Sequence, residues 1–89
     1  MVYLYALTND INAEIYIGIS SDLERRLKEH NAGKNRYTKA FKPWKLLYSE
    51  QCHDYPSARK REIYFKSTTG RRWLKQYRLK LNTGSLPDC

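Results

Sequence analysis

Eighty-nine residues make room for one small domain with a modest core, and they exclude a second one. A chain that is 40% hydrophobic and 13% aromatic is not a disordered one. A formal net charge of +8 and a pI near 9.7 point to an anionic partner, with nucleic acid ahead of an anionic membrane surface. No stretch approaches the roughly 18 apolar residues of a membrane span. Met1 to Tyr5 has neither the basic lead nor the apolar run of a signal peptide, so the expected location is the cytoplasm. Cys52 and Cys89 lack a CxxC or CxxH neighbour, which argues against zinc and for two free thiols in a reducing compartment.

Val2 to Leu7 alternates, with Val2, Leu4 and Ala6 set against Tyr3, Tyr5 and Leu7, and this predicts a first strand. The Asn and Asp residues of 8–13 predict a turn. Glu14 to Ile19 reads as a second strand, Ile15, Ile17 and Ile19 on one face and Tyr16 and Gly18 on the other. If the aliphatic faces of this hairpin share the core, Tyr5 and Tyr16 emerge together on the opposite side. Ser21-Asp22-Leu23-Glu24 reads as a capping box that opens a helix at Ser21, running to about His30 and ended by Asn31 to Gly33. Arg26 and His30 are four apart and share a face beside Leu23 and Leu27, while Glu24–Lys28 and Arg25–Glu29 are expected surface pairs. Gly33 to Pro43 is a mobile basic loop carrying Lys34, Arg36, Lys39 and Lys42, with Tyr37 and Phe41 interleaved.

Trp44 to Cys52 predicts a third strand with Leu46 and Tyr48 on one face. Asp54-Tyr55-Pro56 starts a helix that runs to Lys66, and Ser67 to Gly70 breaks it. A last helix spans Arg71 to Leu79, with Trp73, Leu74 and Tyr77 as its apolar stripe. The expected domain is 1–80, with a tail over 81–89 that frays from Asn82. The order β-β-α-β-α-α gives an α+β class, a small three-stranded, mainly antiparallel sheet flanked by helices.

Between Arg59 and Lys80 there are nine Lys or Arg residues and a single carboxylate, Glu62. It falls on the apolar stripe of its helix, in step with Tyr55, Ala58 and Phe65, where a solvated acid would sit on the polar face. A lone inward acid in a basic field suits a metal ligand that meets phosphates. The alternative is a salt bridge to Arg59, Arg61 or Lys66. Mg²⁺ takes one or two carboxylates and fills its shell with water and phosphate oxygens, so one Glu suffices. Arg26 can hold a phosphate oxygen and stabilise transition-state charge. Gly18 lets substrate or a side chain approach the sheet closely. Lys34, Arg36, Lys39 and Lys42, with Arg71, Arg72, Lys75 and Arg78 on the last helix, are candidate phosphate contacts. Tyr37 or Phe41 either stacks on an unpaired base or packs under the loop. There is no P-loop, GxGxxG, HExxH or GxSxG.

Tyr3-Leu4-Tyr5, then Tyr16-Ile17-Gly18, then Arg26 and His30, then Glu62 resembles the GIY-YIG nuclease domain, over residues 1 to about 78. The Tyr-Ile-Gly half-motif is complete. In the first, Tyr3 and Leu4 stand for Gly and Ile, and only Tyr5 remains. The stretch Gly18 to Asn31 and the run Arg59-Lys60-Arg61-Glu62 resemble the family's further motifs, and the small stand-alone bacterial members look most similar. The resemblance implies an endonuclease that hydrolyses phosphodiester bonds in DNA, ahead of RNA, with Mg²⁺ or Mn²⁺ on Glu62. It implies Arg26 on the phosphate, Tyr5 or Tyr16 as general base, and His30 as a proton shuttle or hydrogen-bond partner of the phosphate or Tyr5. Tyr5 is preferred as base, on condition that metal and Arg26 depress its pKa. No specificity module is visible, so structure-selective or weakly sequence-selective cleavage by a monomer or weak dimer is expected. A nucleic-acid-binding module of the same fold with little chemistry is the alternative.

Overall fold

The computed structural model describes residues 1–11, 14–36 and 38–82. Asn12, Ala13, Tyr37 and residues 83–89, where parts of the expected turn, basic loop and tail fall, lie outside the described residues. The elements are β1 (Val2–Thr8), β2 (Ile15–Ser20), α1 (Leu23–Asn31), a 3-10 turn (Thr38–Phe41), β3 (Lys45–Cys52), α2 (Tyr55–Lys66) and α3 (Thr68–Asn82). The strands form an antiparallel sheet in the order β2-β1-β3, so the α+β class and the element order are as expected.

Register follows the hydrophobic alternation. Leu4 pairs with Ile19 and Ala6 with Ile17, while Tyr5 pairs with Gly18 and Leu7 with Tyr16. The aliphatic face packs under α2 and α3, where Val2, Leu4, Ala6, Ile15 and Ile17 meet Ala58, Phe65 and Leu74. The opposite face holds Tyr5, Leu7 and Trp44 under Leu23 and Leu27 of α1 and Phe41. Tyr5 and Tyr16 therefore do share the face away from α2.

Four local expectations are corrected. Asp22, not Ser21, caps α1, because its carboxylate accepts the Arg25 N–H at 3.0 Å while Ser20 Oγ takes the Asp22 N–H. Glu29 pairs with Arg26, at 3.6 Å, instead of with Arg25. A register shift between Ala6 and Leu7 sets Tyr48 opposite Ala6 and Leu46 opposite Leu7, on opposite faces. Leu47 takes the buried position that alternation assigned to Leu46, which is 42% exposed. The break between the last two helices is Ser67 alone. Gly70 lies in the first turn of α3, where an added Cβ would collide with the Tyr64 carbonyl oxygen and sit 2.5 Å from Phe65 Cα. Its missing side chain allows the tight corner. α3 then continues to Asn82, and Leu81 packs against the core.

Two anchors fix the parts that carry polar side chains. Asn31, at the end of α1, brackets the Trp44 backbone, accepting its N–H at 2.5 Å and donating to its carbonyl at 3.0 Å. Arg61 of α2 grips Glu50 of β3 through two hydrogen bonds, 2.6 and 3.1 Å, and Tyr48 adds a third at 2.8 Å. This clamp sets the rotation of α2 about its axis, and hence the direction in which Glu62 points.

Candidate active site

A cleft of about 310 Å³ opens along β2, lined by Tyr5, Tyr16, Gly18, Arg26, His30, Asn35, Glu62 and Lys66 among others. Five side chains read from the sequence as a catalytic set thus meet in one place, brought from β1, β2, α1 and α2. Gly18 makes the meeting possible. An added Cβ there would lie 2.5 Å from the Tyr5 hydroxyl and 2.7 Å from its Cζ, so the phenol ring crosses β2 over a residue with no side chain.

From that crossing the Tyr5 hydroxyl reaches His30 Nε2 at 3.2 Å. His30 Nδ1 is 2.8 Å from Thr38 Oγ1, and Thr38 in turn accepts the Trp44 indole N–H on its carbonyl at 2.7 Å. The basic loop is therefore folded over α1, with Thr38 and Trp44 buried. Thr38 ties the described part of the loop to His30 and to Trp44. His30 is 2% exposed and meets Tyr5, one of the two partners the sequence offered it. Tyr16 lies against it, ring centroids 4.9 Å apart at 62°.

Burial and the charges around this line set its protonation. Burial, then Tyr16, push the Tyr5 phenol up to about 12, and Arg26 offsets only part of it. Arg26 alone thus does not depress the phenol, because desolvation outweighs the single cation. Burial and Arg26 together lower His30 below the usual histidine value, so the imidazole is neutral at pH 7.

Glu62 is 7% exposed and turned to the cleft, as its helical phase predicted. Its two oxygens are taken by Arg59 at 2.8 Å and Lys66 at 3.0 Å, the residues three before and four after it. Both cations are long, exposed side chains. Among the described residues no three His, Cys, Asp or Glu side chains form a metal-binding group. The donor set does not fit an all-protein cage. It fits a hard divalent ion that keeps most of its shell for water and phosphate oxygens, with Glu62 as the protein ligand.

The remaining candidates lie outside the cleft. Lys34, Arg36, Lys39 and Lys42 do not line it, and Asn35 represents their loop there. Arg71, Arg72, Lys75 and Arg78 are on α3. Arg71 donates to the Lys66 carbonyl at 3.3 Å, which puts the start of α3 next to the cleft wall. Phe41 packs against the Tyr5–Leu7–Trp44 cluster. Sequence reading missed Asn35 and Lys66 as cleft residues. Lys66 was findable, since it lies one helical turn beyond Glu62 on the same face. Asn35 sits in an irregular loop and carried no signal.

Comparison with known proteins agrees with the fold. Residues 1–78 match the GIY-YIG catalytic domain. A UPF0213 protein of Streptococcus agalactiae serotype V is 41% identical over 68 residues, 75% of this chain and 76% of its own length. The UPF0213 protein YazA of Bacillus subtilis is 40% identical over 55 residues, 61% of this chain and 56% of its own. The solution NMR structure of a UPF0213 protein from Bacillus halodurans aligns with a TM-score of 0.52 at 28% identity, over 85% of this chain and 84% of that one.

Proposed function

The chain belongs to the GIY-YIG family, and we propose that it is a divalent-metal-dependent endonuclease acting on phosphodiester bonds of DNA in the cytoplasm. One observation carries the proposal: Tyr5, Tyr16, Arg26, His30 and Glu62 line a single cleft although they come from four elements. The family supports the coarser statement, a nuclease-like domain that meets nucleic acid. No helix among the described residues is long and apolar enough to cross a membrane. A polyanion answers a net charge of +8.

Arg26 is exposed and takes a non-bridging phosphate oxygen, so its guanidinium faces the charge that grows in the transition state. A bound Mg²⁺ or Mn²⁺, held through Glu62, would polarise the phosphate and assist the leaving oxygen. Arg59 and Lys66 hold the Glu62 carboxylate until phosphates arrive, then turn to those phosphates. Tyr5 and Tyr16 position the attacking water. Tyr5 accepts a proton from that water as its own proton passes to His30 Nε2, so no free phenolate forms. Neutralisation of Arg26 by the phosphate removes one of the two effects that lower His30, which makes the imidazole a better acceptor at that moment. Thr38 fixes the ring from the other side.

The test is a nicking assay on supercoiled plasmid and on a branched DNA. Cleavage with Mg²⁺ or Mn²⁺ that stops in EDTA supports the proposal. A second reading, a binding module with little chemistry, is favoured by the full ion pairing of Glu62. It predicts salt-sensitive DNA retardation with no cleavage under any metal.

A further inference from the structure

We propose that Trp73 on α3 is a stacking platform for an unpaired base, so that this face binds single-stranded nucleic acid. Trp73 was expected in the apolar stripe of the last helix, but it is 40% exposed while Leu74 beside it is fully buried. Its ring is nonetheless held firmly. It stacks on Tyr77 with centroids 5.3 Å apart and planes 17° apart. It meets Tyr48 edge-on at 5.1 Å and Phe65 at 5.9 Å. An exposed indole already fixed by three other rings loses little side-chain entropy when a ligand stacks on it.

The surroundings select the ligand. α3 carries Arg71, Arg72, Lys75, Arg78 and Lys80 and no carboxylate. Gln76 and Lys80 border a shallow hollow beside Trp73 and Tyr77, giving a donor and a cation within reach of a base and its phosphate. A second copy of the chain is disfavoured, since it would set two such cationic helices against each other. A membrane surface calls for a broad apolar face, and α3 spends Leu74, Tyr77 and Leu81 on the protein core. Duplex DNA keeps its bases stacked on one another and offers the indole no free π face, whereas a single strand does. Through the contact of Arg71 with the Lys66 carbonyl, the start of α3 adjoins the cleft wall. The inference concerns binding, and it stands whether or not the cleft cleaves.

The experiment titrates a short dye-labelled oligothymidylate, and a dye-labelled duplex of equal length, with the full chain in EDTA and reads affinity by anisotropy, with tryptophan quenching of the wild type followed alongside. Trp44 is 2% exposed, so quenching reports Trp73. The oligothymidylate should quench the wild type. Trp73→Ala should weaken single-strand binding about tenfold, with duplex binding changed by less than about twofold, and Trp73→Phe should retain most of the affinity. Equal single-strand affinity of Trp73→Ala and wild type would overturn the proposal. So would an equal loss on both nucleic acids, or a Trp73→Phe variant as weak as Trp73→Ala despite a native circular dichroism spectrum. Binding to anionic lipid vesicles without binding to oligothymidylate, or self-association lost in Trp73→Ala with single-strand binding intact, would reassign the face to a membrane or to a second copy.

Discussion

At the scale of single residues, the line from Tyr5 through His30 to Thr38 is buried and hydrogen-bonded at each step. The imidazole fills both of its hydrogen-bonding positions, at 3.2 and 2.8 Å, in a buried place. His30→Ala strands two buried hydroxyls and should cost about 1–3 kcal/mol in urea unfolding. The same residue makes stability depend on pH. Its pKa in the folded protein lies below 6.5, its ordinary value. Between those two values the unfolded chain binds more protons than the folded one. The contribution of His30 is thus fully present above pH 6.5 and is lost as pH falls through that window. Denaturant midpoints measured downward from neutral pH should fall for the wild type and fall less for His30→Gln. If Tyr5 relays a proton to His30, Tyr5→Phe should retain the fold and lower the cleavage rate by about 10²-fold or more, read by single-turnover kinetics. The positions of Tyr5, Tyr16, Arg26, His30 and Glu62 were legible in the sequence because motif spacing and strand or helix phase fix them. Their protonation was not. Desolvation depends on the Trp44 and Thr38 cover, which comes from a loop whose fold no periodicity announces.

At the scale of elements, the strands could be read to within a residue at each end, because alternation decides which face is buried. The bulge in β3 could not. One extra residue opposite Ala6 and Leu7 moves Leu47 into the core and Leu46 out, while the local pattern Lys45-Leu46-Leu47-Tyr48 allows either register. Leu47→Ala should therefore cost about 2–4 kcal/mol and Leu46→Ala only about 0.5 kcal/mol, compared by thermal or urea unfolding. Equal costs would contradict the register. The crossing of Tyr5 over β2 makes a similar demand on Gly18. Gly18→Ala puts a methyl where the phenol lies, in a ring that is 3% exposed and tied to His30. It should destabilise by about 1–3 kcal/mol and displace the Tyr5 hydroxyl, lowering cleavage together with stability. The corner at Ser67 was misread as a four-residue break because Gly70 looks like a terminator in sequence. In the fold it is a packing residue within α3.

At the scale of the whole molecule, charge and architecture divide the work. The sheet and its three helices assemble the cleft on the β2 side, and the cations of the loop and of α3 lie outside it. Contacts of that kind give affinity without base sequence, so the logarithm of the DNA association constant should fall linearly with the logarithm of salt concentration, for the wild type and for cleft variants alike. The lone carboxylate of the basic segment stood out in the sequence by its helical phase. Its pairing with Arg59 and Lys66 was legible as an alternative to metal binding, and the structure shows both ion pairs. The most direct measurement compares wild type and Glu62→Ala in metal-dependent nicking of plasmid and branched DNA, with DNA binding followed in parallel. Glu62→Ala is expected to lose cleavage and to bind DNA as well as wild type or more tightly, since a negative charge beside the phosphates is gone. Cleavage by Glu62→Ala at the wild-type rate would contradict the proposed role of Glu62.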